Sequence, residues 1–292
     1  MTHGLKTGFI GLGAMGQHMA SHLHAKGLLR AVANRNAGKA NEFAAAHANV
    51  DAADATGLAK LCNIIVLCVT ADADVFALTR EIAAASAPGT IVIDHSTVSS
   101  ESAKQAAQLM RAAGGDFIDA PVSGGVEGAK NGKLSIMAGG ESATLDIARP
   151  VLESYAARIS HMGPVGAGQN TKAVNQVLIA GIAQAVCEGL ALGEALGLDA
   201  ATLLPTLGAG AASNWFLDKR GATMLKNEFS VGFKLALLHK DLGIVQKIAQ
   251  QAGTDHSIVD KSMADLAELM AQGRGDEEHS AVIRLKRRKN QG

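Results

Sequence analysis

Short apolar runs alternate with helix-like stretches through the first half of the chain, and that alternation predicts a strand–helix repeat. Thr7–Ile10 is followed by a helix from Ala14 to about Lys26, and Ala31–Ala33 by a helix from Ala37 to about His47. Ile64-Ile65-Val66-Leu67-Cys68-Val69 and Thr90-Ile91-Val92-Ile93-Asp94 are apolar without alternation, the pattern of strands covered on both faces. Between them lie a helical Asp74–Ala85 stretch and the breaker Pro88-Gly89. A parallel sheet accounts for these runs most economically. Further strand-like segments come at Asp116–Asp119, Leu134–Ala138 and Arg158–His161, and there the strand signals stop. From Gln169, the apolar positions Val174, Val177, Leu178 and Ile182 recur at helical spacing, and an alanine-rich stretch without proline predicts one long helix to about Leu196. Leu203 to Leu207, Leu235–Leu238, Ile244–Ile248 and Leu266–Met270 predict further helices.

The first run leads into Gly11-Leu12-Gly13-Ala14-Met15-Gly16, a G-x-G-x-x-G spacing between a strand and a helix. Gly11 permits the tight turn, Gly13 lets the backbone approach a pyrophosphate, and Gly16 lets the helix lie close to the sheet, while the free N–H groups at the helix start face the anion. The expected fold is α/β: a Rossmann-type doubly wound sheet in residues 1–163, then an all-α domain in residues 164–292. The seam falls near Gly163-Pro164-Val165-Gly166, and the long helix, about 169–196, links the two domains. In NAD-binding forms of this fold an acid about 20 residues beyond the glycines meets the adenosine ribose. Here the second strand ends Ala33-Asn34-Arg35-Asn36, without a carboxylate. Arg35 offers a guanidinium fork for a 2′-phosphate, Asn34 a partner for the ribose and Lys39 further charge, so NADP is the expected cofactor, with NAD possible. Val69 and Thr70, where the third apolar run ends, are further cofactor-binding candidates.

Composition narrows the partners. Equal counts of 27 basic and 27 acidic residues give no net charge, so neither nucleic acid nor an anionic membrane is indicated. The N-terminus lacks the apolar core of a signal peptide, and no uninterrupted apolar run spans a bilayer. Cys62, Cys68 and Cys187 show no C-x-x-C spacing, which indicates reduced core thiols, no metal site and a cytoplasmic protein. The basic run Arg284 to Lys289 reads as a solvated terminus.

Three stretches carry candidate chemistry. In Ser123-Gly124-Gly125, consecutive N–H groups and a hydroxyl suit a small carboxylate, although the same sequence also makes ordinary turns. In Gly168-Gln169-Asn170-Thr171-Lys172-Ala173-Val174-Asn175, Lys172 and Asn175 share a helix face. An ammonium one turn from a helix start among apolar residues is expected to have a lowered pKa and to exchange a proton near neutral pH. The third stretch places Phe233 to wall a small pocket, Lys240 to meet the cofactor and Asp241 to orient its neighbours.

Taken together, these motifs resemble the β-hydroxyacid dehydrogenases, which include 3-hydroxyisobutyrate dehydrogenase and the tartronate semialdehyde, glyoxylate and succinic semialdehyde reductases. The resemblance covers nearly the whole chain, with the glycine turn, Ala120-Pro121-Val122-Ser123-Gly124-Gly125, Lys172 with Asn175, and Lys240-Asp241-Leu242 in family order. It implies Lys172 as catalytic acid/base, Asn175 as a support of the substrate, Ser123 to Gly125 as carboxylate cradle, Thr97 beside the nicotinamide, Lys240 on the cofactor, and Phe233 and Asp241 along the substrate. A small carboxylate or aldehyde is then the substrate, and a homodimer or homotetramer the expected assembly. Imine reductases on the same fold, which generally replace the lysine, and non-catalytic cofactor-binding scaffolds, which lose it, are the alternatives; Lys172 argues against both. The 6-phosphogluconate dehydrogenases are much longer chains. One departure is His95, where relatives often carry an apolar or small residue, and a satisfied core histidine is its expected meaning.

Overall fold

The structure, a computed structural model, describes residues 4–230 and 232–287. The strands are β1 (Thr7–Ile10), β2 (Leu29–Ala33), β3 (Asp51–Ala52), β4 (Ile64–Leu67), β5 (Ile91–Asp94), β6 (Asp116–Asp119), β7 (Val122–Ser123), β8 (Leu134–Gly139) and β9 (Ala156–Gly163). Helices α1 (Gly16–Ala25), α2 (Ala37–Ala46), α3 (Ala55–Leu61), α4 (Asp72–Ala85), α5 (Ser100–Ala112), α6 (Gly125–Lys130) and α7 (Ser142–Leu152) are interleaved with them. After β9 come α8 (Ala167–Ala195), α9 (Ala200–Gly208), α10 (Trp215–Leu225), α11 (Leu235–Ala252), α12 (Ser257–Ala271), a 3-10 turn (His279–Val282) and α13 (Ile283–Lys286). The chain divides into two compact units, one ending at Lys172 and one beginning at Ala173.

The sheet of the first unit runs β3-β2-β1-β4-β5-β6-β8-β7, with β9 beside β8. Its central strands β1, β4 and β5 are buried throughout, which is why they read as unbroken apolar runs. Successive residues still face opposite sides: Phe9, Ile64 and Val66 enter one core, Ile10, Ile65 and Leu67 the other. Each face therefore needs its own helical cover, and the sheet is doubly wound. Helix starts are set locally, Asn36, Asp54 and Ser99 each accepting an N–H of the first turn of α2, α3 and α5.

The parallel sheet expected from the apolar runs holds from β3 across to β6, and β9 is again parallel to β8, but the expectation is corrected where β8 meets β6 and β7. β8 is antiparallel to both β6 and β7. Only residues 124–133 separate β7 from β8, too few for the dozen or more that a parallel crossover needs, so the chain returns in the opposite sense. Between β1 and β4 the strand order reverses, and this opens a crevice at the carboxyl ends of the strands.

The second unit is built from helices, with no strand among its described residues. Ala173, Ala180, Ala183, Cys187, Leu190 and Ala191 form the buried stripe of α8, all small side chains but Leu190, and share one core with Phe216, Leu238 and Leu266 of other helices. The opposite stripe is also apolar, with Val174, Leu178 and Leu192 exposed. By length and composition alone α8 is apolar enough to cross a membrane, because both of its stripes are apolar.

The basic run is corrected as well. Lys286 pairs with Asp265 at 2.8 Å, Arg287 reaches Glu194 with two nitrogens, and Arg284 lies 4.5 Å from the Phe229 ring centre. These cations hold the end of the described chain against its own unit; Arg288 and Lys289 lie outside the described residues.

Candidate functional site

The three motif glycines have different physical reasons. Gly11 adopts φ +105°, and a Cβ there would lie 2.2 Å from the Cys68 carbonyl oxygen. A Cβ on Gly16 would lie 1.9 Å from the Gly11 oxygen. The fold itself demands both. Gly13 meets nothing within 4 Å and faces a cavity of about 840 Å³ at the strand-order reversal. What Gly13 leaves open is therefore room for a ligand. No side chain caps α1 and no acid stands in its first turn, so the positive end of the helix dipole is left to an anion, while the N–H groups of Gln17, His18 and Met19 go to the Gly13 and Met15 carbonyls. Gly11, Leu12, Gly13, Asn34, Arg35, Val69 and Thr70 line this cavity together, whereas Ala14, Met15 and Gly16 carry the turn onward into α1. These residues fit the pyrophosphate end of a dinucleotide.

Arg35 and Lys39 are exposed at the same cavity. The Asn34 amide braces the glycine turn, its Oδ1 accepting the Leu12 N–H at 2.9 Å and its Nδ2 donating to the Asn36 carbonyl at 3.1 Å.

A second group forms where α8 starts. The Asp119 carboxylate accepts the N–H groups of Gly166 at 2.8 Å and Gln169 at 2.9 Å, capping the helix. Burial pushes its pKa up to about 6, against the backbone donors that favour its charged form. Gly168 makes the approach possible, since a Cβ there would lie 2.3 Å from the Met137 oxygen. One turn on, Lys172 is 7% exposed, and its Nζ donates to the Val122 carbonyl at 2.9 Å. Ser123 follows directly, then Gly124 at φ +123° and Gly125 at φ +60°, a double left-handed bend open to glycine. The lysine and the Ser-Gly-Gly turn, 47 to 49 residues apart in sequence, are thus brought together.

Half-buried Thr97 follows two fixed residues, Ser96 and His95. Ser96 accepts the Val69 N–H on its Oγ at 3.0 Å and donates its own N–H to Asp94 at 2.9 Å. His95 is satisfied in the core: Nδ1 donates to the Ala120 carbonyl at 2.6 Å, and Nε2 accepts from the Tyr155 hydroxyl at 2.8 Å. That fixes the neutral Nδ1–H tautomer, and desolvation lowers the ring's pKa to about 4.

Asp94 is fully buried with Oδ2 unpaired, and desolvation raises its pKa to about 7, against the Ser96 hydrogen bonds. A carboxyl whose folded pKa is raised stabilises the fold fully below its unfolded value near 3.8, and that contribution is lost as pH climbs through 7. Asp94→Asn keeps the acceptor for Ser96 and cannot ionise. Relative to wild type, it is expected to gain about 3 kcal/mol between pH 5 and pH 8, as read by urea unfolding at the two pH values; a pH-independent difference contradicts this assignment.

In the second unit, a chain of bonds runs from Asn175 Nδ2 to Gln176 Oε1 at 2.9 Å, from Gln176 Nε2 to Asp241 Oδ2 at 2.8 Å, and from Lys240 Nζ to Asp241 Oδ1 at 2.9 Å. Asp241 is 3% exposed, so its carboxylate holds Gln176 and Lys240 rather than standing open. Phe233 is fixed by His279, which donates its backbone N–H to the Phe233 carbonyl at 3.1 Å. Val231, in the same stretch, lies outside the described residues. Sequence reasoning missed Gln169 and Gln176; both flank motif residues, and their sub-3% exposure is the feature that marks them. No cluster able to hold a metal occurs among the described residues.

This is the architecture of a nicotinamide-dependent oxidoreductase, and comparison with known proteins carries it further. Residues 6–163 match the family described as the NAD binding domain of 6-phosphogluconate dehydrogenase, and residues 166–286 the one described as NAD-binding of NADP-dependent 3-hydroxyisobutyrate dehydrogenase. The chain is 33% identical to the NAD-dependent L-serine dehydrogenase of Pseudomonas aeruginosa, over 95% of this chain and 96% of that one. It is 31% identical to the 2-(hydroxymethyl)glutarate dehydrogenase of Eubacterium barkeri, over 98% and 96%. A solved structure of Mycobacterium tuberculosis 3-hydroxyisobutyrate dehydrogenase with L-serine superposes at a TM-score of 0.87, with 31% identity and coverage of 97% and 99%. The chain belongs to the β-hydroxyacid dehydrogenase family, and is an NAD(P)-dependent oxidoreductase of that type.

Proposed function

We propose that this protein is a soluble, NADP-preferring dehydrogenase that interconverts a 2-substituted 3-hydroxypropionate and its semialdehyde. The observation that carries the reading is the Lys172 ammonium, buried and bonded to the carbonyl that immediately precedes the Ser-Gly-Gly turn. The three substrates named for the relatives share HO–CH2–CH(X)–COO⁻, with X a methyl, an ammonium or a carboxyethyl group. What they have in common is a carboxylate two carbons from the carbinol. In our reading the hydroxyl and N–H groups of Ser123 to Gly125 take the carboxylate, which presents the carbinol oxygen to Lys172. Lys172 accepts the hydroxyl proton in oxidation and returns it to the alkoxide in reduction. Asn175, three residues along the helix, supports the same oxygen, and Asp241 holds Gln176 and Lys240 in place. Phe233 limits the size of X, and Thr97 and Lys240 meet the cofactor. When bound, the nicotinamide supplies or removes the hydride.

The test is NADPH consumption with malonate, methylmalonate, tartronate and succinic semialdehydes and glyoxylate, and NADP reduction with L-serine and 3-hydroxyisobutyrate. Turnover of at least one 3-hydroxypropionate-type pair is expected; silence across the panel contradicts the proposal.

The cofactor preference rests on Arg35 and Lys39 and on the absence of an acid among residues 34–36. Charge-assisted bonds of about 1.5–3 kcal/mol set the scale. Arg35→Asp should therefore weaken NADP binding about 10- to 100-fold while NAD binding holds or improves, as measured by fluorescence titration. An unchanged NADP affinity contradicts the 2′-phosphate assignment. The exposed α8 stripe supports the proposal that the protein is a homodimer or homotetramer, to be read by light scattering.

A further inference from the structure

We infer that Gln169 is a positioning residue that fixes the Thr97 segment to the turn of α8 preceding Lys172; the inference rests on the proposed function. Its carboxamide is 2% exposed and fully engaged across more than 70 residues of sequence. Nε2 donates to the Ser96 carbonyl at 2.8 Å, and Oε1 accepts the Val98 N–H at 3.2 Å. The two bonds bracket Thr97, and only one orientation of the amide satisfies both. The clamp is itself held from both sides. The Gln169 backbone N–H is bound by Asp119, and Ser96 is tied to Asp94 and, through its Oγ, to the Val69 N–H. A single side chain therefore joins the segments carrying Val69 and Thr97 to the helix carrying the proton-transfer amine, three residues before it.

The bland alternative is a glutamine that merely satisfies two buried backbone groups. A carboxylate separates the two. Ionised, Gln169→Glu is repelled by the Ser96 carbonyl and leaves the clamp, releasing the Val98 N–H as well; protonated, it has one donor and one acceptor and restores both bonds. The ionisable groups around this segment are Asp94 and Asp119 on the sheet, Lys172 along α8, and Asp72 and Lys104 at the neighbouring helices. The two sheet carboxylates favour the protonated form of residue 169 and Lys172 opposes them.

The experiment compares wild type, Gln169→Glu and Gln169→Met in two readouts. The first is the pH profile of kcat with the NADP-loaded enzyme. The second is hydrogen-exchange protection of the Val98 amide in the cofactor-free protein. Gln169→Glu is expected to run within about threefold of wild type at acid pH and to fall about 10- to 100-fold above one added ionisation, with NADPH affinity little changed. The same pH should divide protected from unprotected Val98. Gln169→Met should be slow and unprotected throughout; if it does not fold, the glutamate variant at acid pH carries the comparison. A Gln169→Glu profile parallel to wild type, or wild-type kcat in a variant whose Val98 protection is lost, overturns the inference. Wild-type turnover separately reads the proposed function, and Val98 protection reads the clamp whatever that turnover shows.

Discussion

Replacing Lys172 by alanine should lower turnover by about 10²–10⁴-fold, the usual contribution of a positioned general acid or base. The binding of NADPH should change little, because Lys172 is not among the residues lining the dinucleotide cavity. The variant loses one hydrogen-bond donor to the Val122 carbonyl, a destabilisation of about 1–3 kcal/mol. That is small enough for the folded enzyme to be assayed. The two effects are therefore separable: kcat by initial rates in both directions, NADPH affinity by fluorescence titration and stability by urea unfolding. A loss confined to stability would make Lys172 a helix-anchoring residue, and a loss confined to NADPH affinity would move it to the cofactor.

The second large effect distinguishes two glycines of one motif. A side chain on Gly16 would collide with the Gly11 backbone at 1.9 Å, whereas one on Gly13 meets no protein atom within 4 Å. Gly13→Val should fold with near wild-type stability and lose dinucleotide affinity by at least about 100-fold, since the valine occupies the approach to the pyrophosphate. Gly16→Val should be destabilised by several kcal/mol, about the scale of strong overpacking, whether or not cofactor is added. Melting curves with and without NADPH read both. A cofactor-induced melting shift in Gly13→Val equal to that of wild type would show that the dinucleotide lies elsewhere.

The sequence made some of this architecture legible because the physics is local. The apolar runs of β1, β4 and β5 are visible since both faces are buried, and the glycine turn is visible since φ and clearance restrict residue type. That Lys172 and Asn175 lie on one helix was readable from the spacing of the apolar positions around them. Two-residue strands such as Asp51–Ala52 and Val122–Ser123 have no period to detect, and they exist only through their pairing partners. The antiparallel return at β8 depends on the length of one connection. Gln169 and Gln176 read as polar residues of an amphipathic helix, and only the partners, Ser96 and Val98 for one and Asp241 for the other, give them their tasks. Likewise Asp241 was expected to orient its neighbours, and only the fold says that these are Gln176 and Lys240. Lys286 and Arg287 formed a basic run until their acids, 21 and 93 residues away, were placed beside them.

The central claim is that the amine at position 172 exchanges the proton with the carbinol oxygen. Rescue of Lys172→Ala by small primary amines, followed in a single-turnover stopped-flow measurement of NADPH oxidation at 340 nm, tests it most directly. The account requires the slowed rate to rise with methylamine or ethylamine concentration, and the rescued rate to vary with amine pKa. Wild-type speed in the variant without added amine would contradict it.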